Sequence, residues 1–162
     1  MNSSKRRYCD KALPEYAHRP GLTVHPHKPG GHSFAQEEKL APPLTDFRIH
    51  QDYLWGIDCL NHGYYWEAHT AFEAIWNAHL RTGATADLMK ALIKISAAAL
   101  KLEAQSIEAS RGHLQRAQEL IQPLTTSDLI FVGLEKKSLE DWLEQALAQK
   151  ELQINLRLDL IF

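Results

Sequence analysis

From Leu44 onward, hydrophobic positions recur at helical spacing. Phe47, Leu54, Ile57 and Leu60 fall on one side of a helix expected from 45 to about 60, with Thr45 as its N-cap. Asn61-His62-Gly63 interrupts it, and a second helix is expected over 64–80, stopping near Gly83. Leu88, Leu92, Ile95, Ala99 and Leu102 mark a third over 86–103. Ser106 caps a fourth that Pro123 ends after 122. Leu139, Trp142, Leu143 and Leu147 mark a fifth over 135–150, while 127–133 reads either as a short helical turn or as an extended piece. At the C-terminal end the period falls to two. Leu152, Ile154, Leu156, Leu158 and Leu160 alternate with Gln153, Asn155, Arg157 and Asp159, the pattern of extended chain. Such a segment needs a partner, so it is expected to dock on the helices or to pair with a second copy.

Residues 1–43 show neither period. They are punctuated by Leu13-Pro14, Pro20-Gly21 and His25-Pro26-His27-Lys28-Pro29-Gly30-Gly31-His32. Proline fixes φ and lacks an amide donor, so this arm is expected to be irregular. Leu13, Tyr16, Val24 and Phe34 are apolar anchors that favour a strap over the helices rather than a free tail. The expected fold is all-α, an antiparallel bundle of four to five helices. It divides into the irregular arm (1–43), the helical domain (44–150) and the extended apolar tail (151–162).

Composition narrows the classes. A chain of 162 residues with 44% hydrophobic content builds one domain with a real core. A net charge of -2, from 18 Lys+Arg against 20 Asp+Glu, gives no general pull toward nucleic acid or an anionic membrane, and neither partner is expected. No apolar run reaches the roughly 18 residues of a membrane helix. Residues 1–8 contain no apolar stretch of the kind a secretory signal carries. Two cysteines, Cys9 and Cys59, are too few for a disulfide framework and read as reduced thiols. The expected compartment is cytoplasmic.

The nine histidines bring in candidate chemistry. At about 100° per residue, Tyr65, Ala68, Phe72, Ile75 and His79 share one sector of the second predicted helix. His62, Trp66, His69, Glu73, Trp76 and Leu80 share the next, and together they form a wide face expected to be buried. Glu67, Ala71, Ala74 and Ala78 lie opposite, expected to face solvent or a small-residue contact. His69 and Glu73 are then polar groups on an aromatic face, where burial costs several kcal/mol unless they find partners. One outcome is a polar pocket formed by His69, Glu73, Trp66, Trp76, Tyr65 and His62, with Phe72 in its wall. The other is a satisfied pair that only fixes packing. The pair by itself is too small a ligand set for zinc. The arm's His25, His27 and His32 are candidates to join His69 and Glu73 around a divalent metal; alternatively they bond backbone carbonyls. Lys90, Lys94 and Lys101 line one stripe of the third helix, and Arg111, His113 and Arg116 one of the fourth. Either group could meet a phosphate or an acidic partner, or form a solvated face.

Residues 56–76, GIDCLNHGYYWEAHTAFEAIW, resemble the signature of domain-of-unknown-function family 309. That pattern runs asparagine-x-glycine-x-tyrosine-x-x-alanine-histidine-glutamate, then a glutamate and a tryptophan on the same helix. Asn61, Gly63, Tyr65, Ala68, His69, Glu73 and Trp76 match it. The apolar block at 92–101 is similar to the family's second block, and the arm resembles extensions on some members. Two departures stand out: Thr70 replaces the glutamate after the histidine, and Lys90-Ala91 replaces a glutamine-glycine pair. The resemblance implies a helical fold and brings no established activity.

Three functions are open at this stage. The first is a metal or small-ligand site on His69 and Glu73 closed by the arm, with or without catalysis. The second is an interaction module, since Gly63-x-Tyr65-x-x-Ala68-x-x-x-Phe72 also resembles a tetratricopeptide helix, although no 34-residue repetition accompanies it. The third is self-association through the C-terminal tail.

Overall fold

A computed structural model describes residues 6–38 and 40–162. Residues 1–5, the start of the expected arm, and Lys39 lie outside the described residues. Six helices follow in order: α1 (Gln51–Asn61), α2 (Tyr65–Ala78), α3 (Ala84–Glu103), α4 (Ile107–Ile121), α5 (Thr126–Phe131) and α6 (Lys136–Ala148). No strand occurs among the described residues. The long α3 is central, packed on α2 to one side and α4 to the other; α1 covers α2, and α6 covers α4. The expected all-α bundle is therefore what forms, with one helix more than the four to five expected. The extra one is α5, in the stretch the periodicity left open. Thr125 and Asp128 cap it reciprocally, each side chain accepting from the other residue's amide.

The first helix starts later than expected. Thr45 does not cap it. His50 does, its Nδ1 accepting from the Tyr53 amide at 3.2 Å and its Nε2 donating to the Pro42 carbonyl at 2.9 Å. Residues 45–50 instead form turns that bury Phe47 against Gly133. Gly133 has φ +76°, and a Cβ there would stand 2.5 Å from the Phe47 ring, so only glycine fits. Gly56 allows a similar approach of α1 to α2: its Cβ would meet the Phe72 ring at 2.8 Å and Ala71 at 3.2 Å. Phe72 itself is fully buried, a burial that contributes roughly 1.5–3 kcal/mol. Of the tetratricopeptide-like positions, Ala68 and Phe72 are fully buried and Phe72 meets α1 at Gly56, whereas Gly63 adopts φ +83° with open space around it.

The C-terminal tail is irregular and docks on its own chain. Leu152, Leu158 and Leu160 are buried. The Asn61 side chain treats Leu158 as a strand partner would, donating to its carbonyl at 2.9 Å and accepting from its amide at 2.8 Å. Ile161 donates to the Gly133 carbonyl at 2.8 Å, and Phe162 stacks on Tyr8. The apolar side expected to drive self-association is used within the chain. Arg111, read from sequence as a candidate phosphate contact, instead donates to the Leu147 and Gln149 carbonyls at the end of α6, where a cation complements the helix dipole.

The described part of the arm is a strap, and polar groups hold it. Of the four apolar anchors expected, Leu13 and Tyr16 are half-buried, whereas Val24 and Phe34 are exposed. Two buried carboxylates fasten it to α1 and α2. Asp58, with no exposure, accepts from Arg7 Nε at 3.1 Å, from the amides of Tyr8 and Cys9 at 2.8 and 3.1 Å, and from the Cys9 thiol at 3.4 Å. Glu67 provides the second attachment.

Candidate functional site

Glu67 lies on the side of α2 expected to face solvent, yet it is 1% exposed because the arm lies over it. Its Oε1 accepts from the His18 amide at 2.8 Å and from His32 Nε2 at 2.8 Å. The other oxygen, Oε2, is buried with no hydrogen-bond partner. His32 therefore meets Glu67, not the His69–Glu73 pair with which it was grouped as a metal ligand. The tip of the arm is held by further local bonds. Thr23 Oγ1 takes the Arg19 amide at 2.9 Å and pairs with His18 Nδ1 at 2.7 Å, closing a turn over residues 19–23 in which Gly21 has φ +80°. Tyr16 donates to the Val24 carbonyl at 2.8 Å, and its ring packs on His32.

Trp66 lies beneath this tip. The rings of His18, His25 and His27 gather around it at 5.2, 5.5 and 6.2 Å between centroids, with His18 and His25 edge-on. His25 and His27 are exposed, and no three His, Cys, Asp or Glu side chains among the described residues converge as a metal site. His62 ends α1 with Nδ1 on the Asp58 carbonyl at 2.7 Å. Tyr65 lies under Arg19, whose guanidinium is 5.7 Å from the ring centroid.

The stripe Trp66, His69, Glu73 and Trp76 is half-buried, not the interior face expected. The fully covered sector is its neighbour, with Ala68, Phe72 and Ile75. His69 Nδ1 and Glu73 Oε2 are 3.8 Å apart, beyond hydrogen-bond reach, and His69 Nδ1 is buried without a partner. Burial pushes the His69 imidazole down from its ordinary value, the Glu73 carboxylate pulls it up, and Lys94 pushes it down again. His113 on α4 is lowered by burial, then by Lys94, Lys101 and His69. These four groups thus share one electrostatic neighbourhood along α3. Lys90 is engaged elsewhere, over the Trp76 ring at 5.7 Å, with Arg81 at 4.7 Å from the same ring.

A cavity of about 550 Å3 opens beside this stripe. The arm's turn from Arg19 to Leu22 forms one wall, Trp66 and His69 a second, and Ala97, Leu100 and Lys101 of α3, with Ala104 just after it, a third. Its lining is chiefly apolar. Arg19 is fixed at the rim by Glu103 at 2.5 Å and by the Gly63 carbonyl at 3.0 Å. Burial pushes the Glu103 carboxyl up, against the pull of Arg19. Of the six pocket candidates read from sequence, Trp66 and His69 line this cavity. Arg19 and Leu22 were missed because they lie in the arm, where no periodicity assigns a facing direction. Lys101, read as part of a charged stripe, proves to be a wall residue.

A helical body strapped by its own N-terminal arm, with one apolar cavity under the strap, is the class this geometry defines. Residues 53–112 match the family model described as Domain of unknown function (DUF309), from within α1 into α4. The resemblance read from the motif thus holds over the segment that carries Trp66, His69, Glu73 and Trp76. No curated protein and no solved structure matches the chain. The two departures from the family pattern have simple local roles. Thr70 donates to the Glu67 carbonyl at 2.9 Å, and Ala91 is wholly buried beside Lys90. Among the described residues no helix is long and apolar enough to cross a membrane.

Proposed function

We propose that this protein binds a small ligand, apolar over most of its surface, in the groove between the arm's 19–22 turn, α2 and α3. The observation that carries the reading is the cavity of about 550 Å3 lined by His69, whose Nδ1 is buried and unpartnered. Sites for small molecules are concave, mostly apolar and supplied with a few polar groups that fix orientation. Trp66 and Leu100 would give the apolar contact, and the imidazole of His69 the polar one. Binding rather than catalysis is favoured because His69 lacks the hydrogen-bonded orienting partner that a general base uses. Glu73 is too far away at 3.8 Å.

A set of small aromatic and aliphatic acids, amides and alcohols, screened by amide chemical shifts on the full chain, tests the reading. Bound members should move the signals of Gly21, Trp66, His69 and Leu100. Trp66→Ala should weaken them at least about tenfold, a loss of roughly 1.4 kcal/mol. A screen in which no member shifts these four positions removes the proposal.

A further inference from the structure

Resting on that reading of the groove, the charges around it define the ligand more narrowly. Lys101 lines the cavity and Lys94, half-buried, lies about one turn before Ala97 on α3; neither meets a carboxylate at ion-pair distance among the described residues. Because α3 packs between α2 and α4, Lys94 acts on both flanking imidazoles, His69 and His113. Two acidic groups share this end. Glu103 is already held by Arg19, and Glu73 faces His69 across 3.8 Å. Two unpaired ammonium groups and two imidazoles therefore oppose one unneutralised carboxylate.

We propose that the ligand is a carboxylic acid bound as its monoanion, with its hydrocarbon on Trp66 and Leu100 and its carboxylate directed to His69 and Lys101 of the cavity wall, with Lys94 and His113 adding to the positive field behind them. A dianionic phosphate is the poorer fit, since the unneutralised Glu73 carboxylate beside His69 would repel its second charge. The imidazoles also couple binding to protons. Burial and the lysines hold His69 and His113 below the ordinary imidazole value, so both are mainly neutral near pH 7. A carboxylate placed beside them raises them again, so binding takes up protons and strengthens as the pH falls from 8 to 6.

Octanoate, octanamide and octyl phosphate share one chain and differ at the head, and titration calorimetry on the full protein separates them. Octanoate should bind about tenfold more tightly than octanamide at pH 6, and its advantage should shrink at pH 8. Lys94→Met and Lys101→Met should each weaken octanoate several-fold more than octanamide, so that the gap between the two probes narrows, which separates lost charge from lost fold. Equal affinity for octanoate and octanamide overturns the monoanion assignment and leaves the groove reading standing. Tenfold preference for octyl phosphate overturns it in favour of a dianion. Failure of all three probes, with no shifts at Trp66 or His69, removes both proposals.

Discussion

His79 shows what one half-buried imidazole does to the pH response of this fold. Its Nε2 accepts from the Leu44 amide at 2.8 Å, so the ring must be neutral to hold the chain leading into α1. Burial pushes His79 below its ordinary value, and the nearby His50 adds to the effect. The sign follows directly. The unfolded chain binds the proton at a higher pH than the fold does, so stability is fully present above about pH 6.5 and declines as the pH drops through the folded value. His18, His69 and His113 are lowered in the same direction and extend the decline. The urea midpoint should therefore fall between pH 7 and 5. His79→Gln should recover about 1 kcal/mol of that fall, because an amide oxygen accepts the same bond without titrating. An unchanged pH profile in His79→Gln would place the titration elsewhere.

Among the elements, the tail depends most on a single side chain. Asn61 supplies a donor and an acceptor to the buried backbone of Leu158. Asn61→Ala should cost about 2–3 kcal/mol, since both backbone groups then lose their partners where water is excluded. It should also speed exchange of the Leu158 amide; retained protection there would mean the apolar contacts alone dock the tail. The same element shows why some of the fold was legible and some was not. Alternation in 152–160 correctly marked a buried side, carried by Leu152, Leu158 and Leu160, because that pattern is local. The role of Asn61 was not legible, since its partner is 97 positions away. In α2 the period found Ala68, Phe72 and Ile75, whose burial follows from packing on α1 and α3. It misplaced Glu67, because the arm that buries this carboxylate has no period to be matched to it. It also drew His69 and Glu73 too far inward, because the stripe they share lies along the half-covered edge of the cavity.

At the scale of the whole molecule, the arm and the cavity are one mechanical unit. Glu67 does not line the cavity, but it holds the His18 amide and His32, and the residues just after His18 form the cavity's first wall. Removing the Glu67 side chain leaves a buried amide and a buried imidazole nitrogen unsatisfied, a loss of about 3 kcal/mol concentrated in the docking of the arm. Amides of residues 18–33 in Glu67→Ala should then exchange on the order of a hundredfold faster, while those of α3 keep their protection, since every 1.4 kcal/mol is a factor of ten. The proposed ligand adds a second consequence. A molecule that touches both the 19–22 turn and α3 stabilises the docked arm, and by linkage anything that loosens the arm weakens the ligand by the same factor. Octanoate should therefore restore arm protection in Glu67→Ala only at concentrations well above those that saturate the unmodified chain. Protection that returns at the same concentration would mean that the arm and the groove are energetically independent, and that the cavity's first wall is not needed for binding.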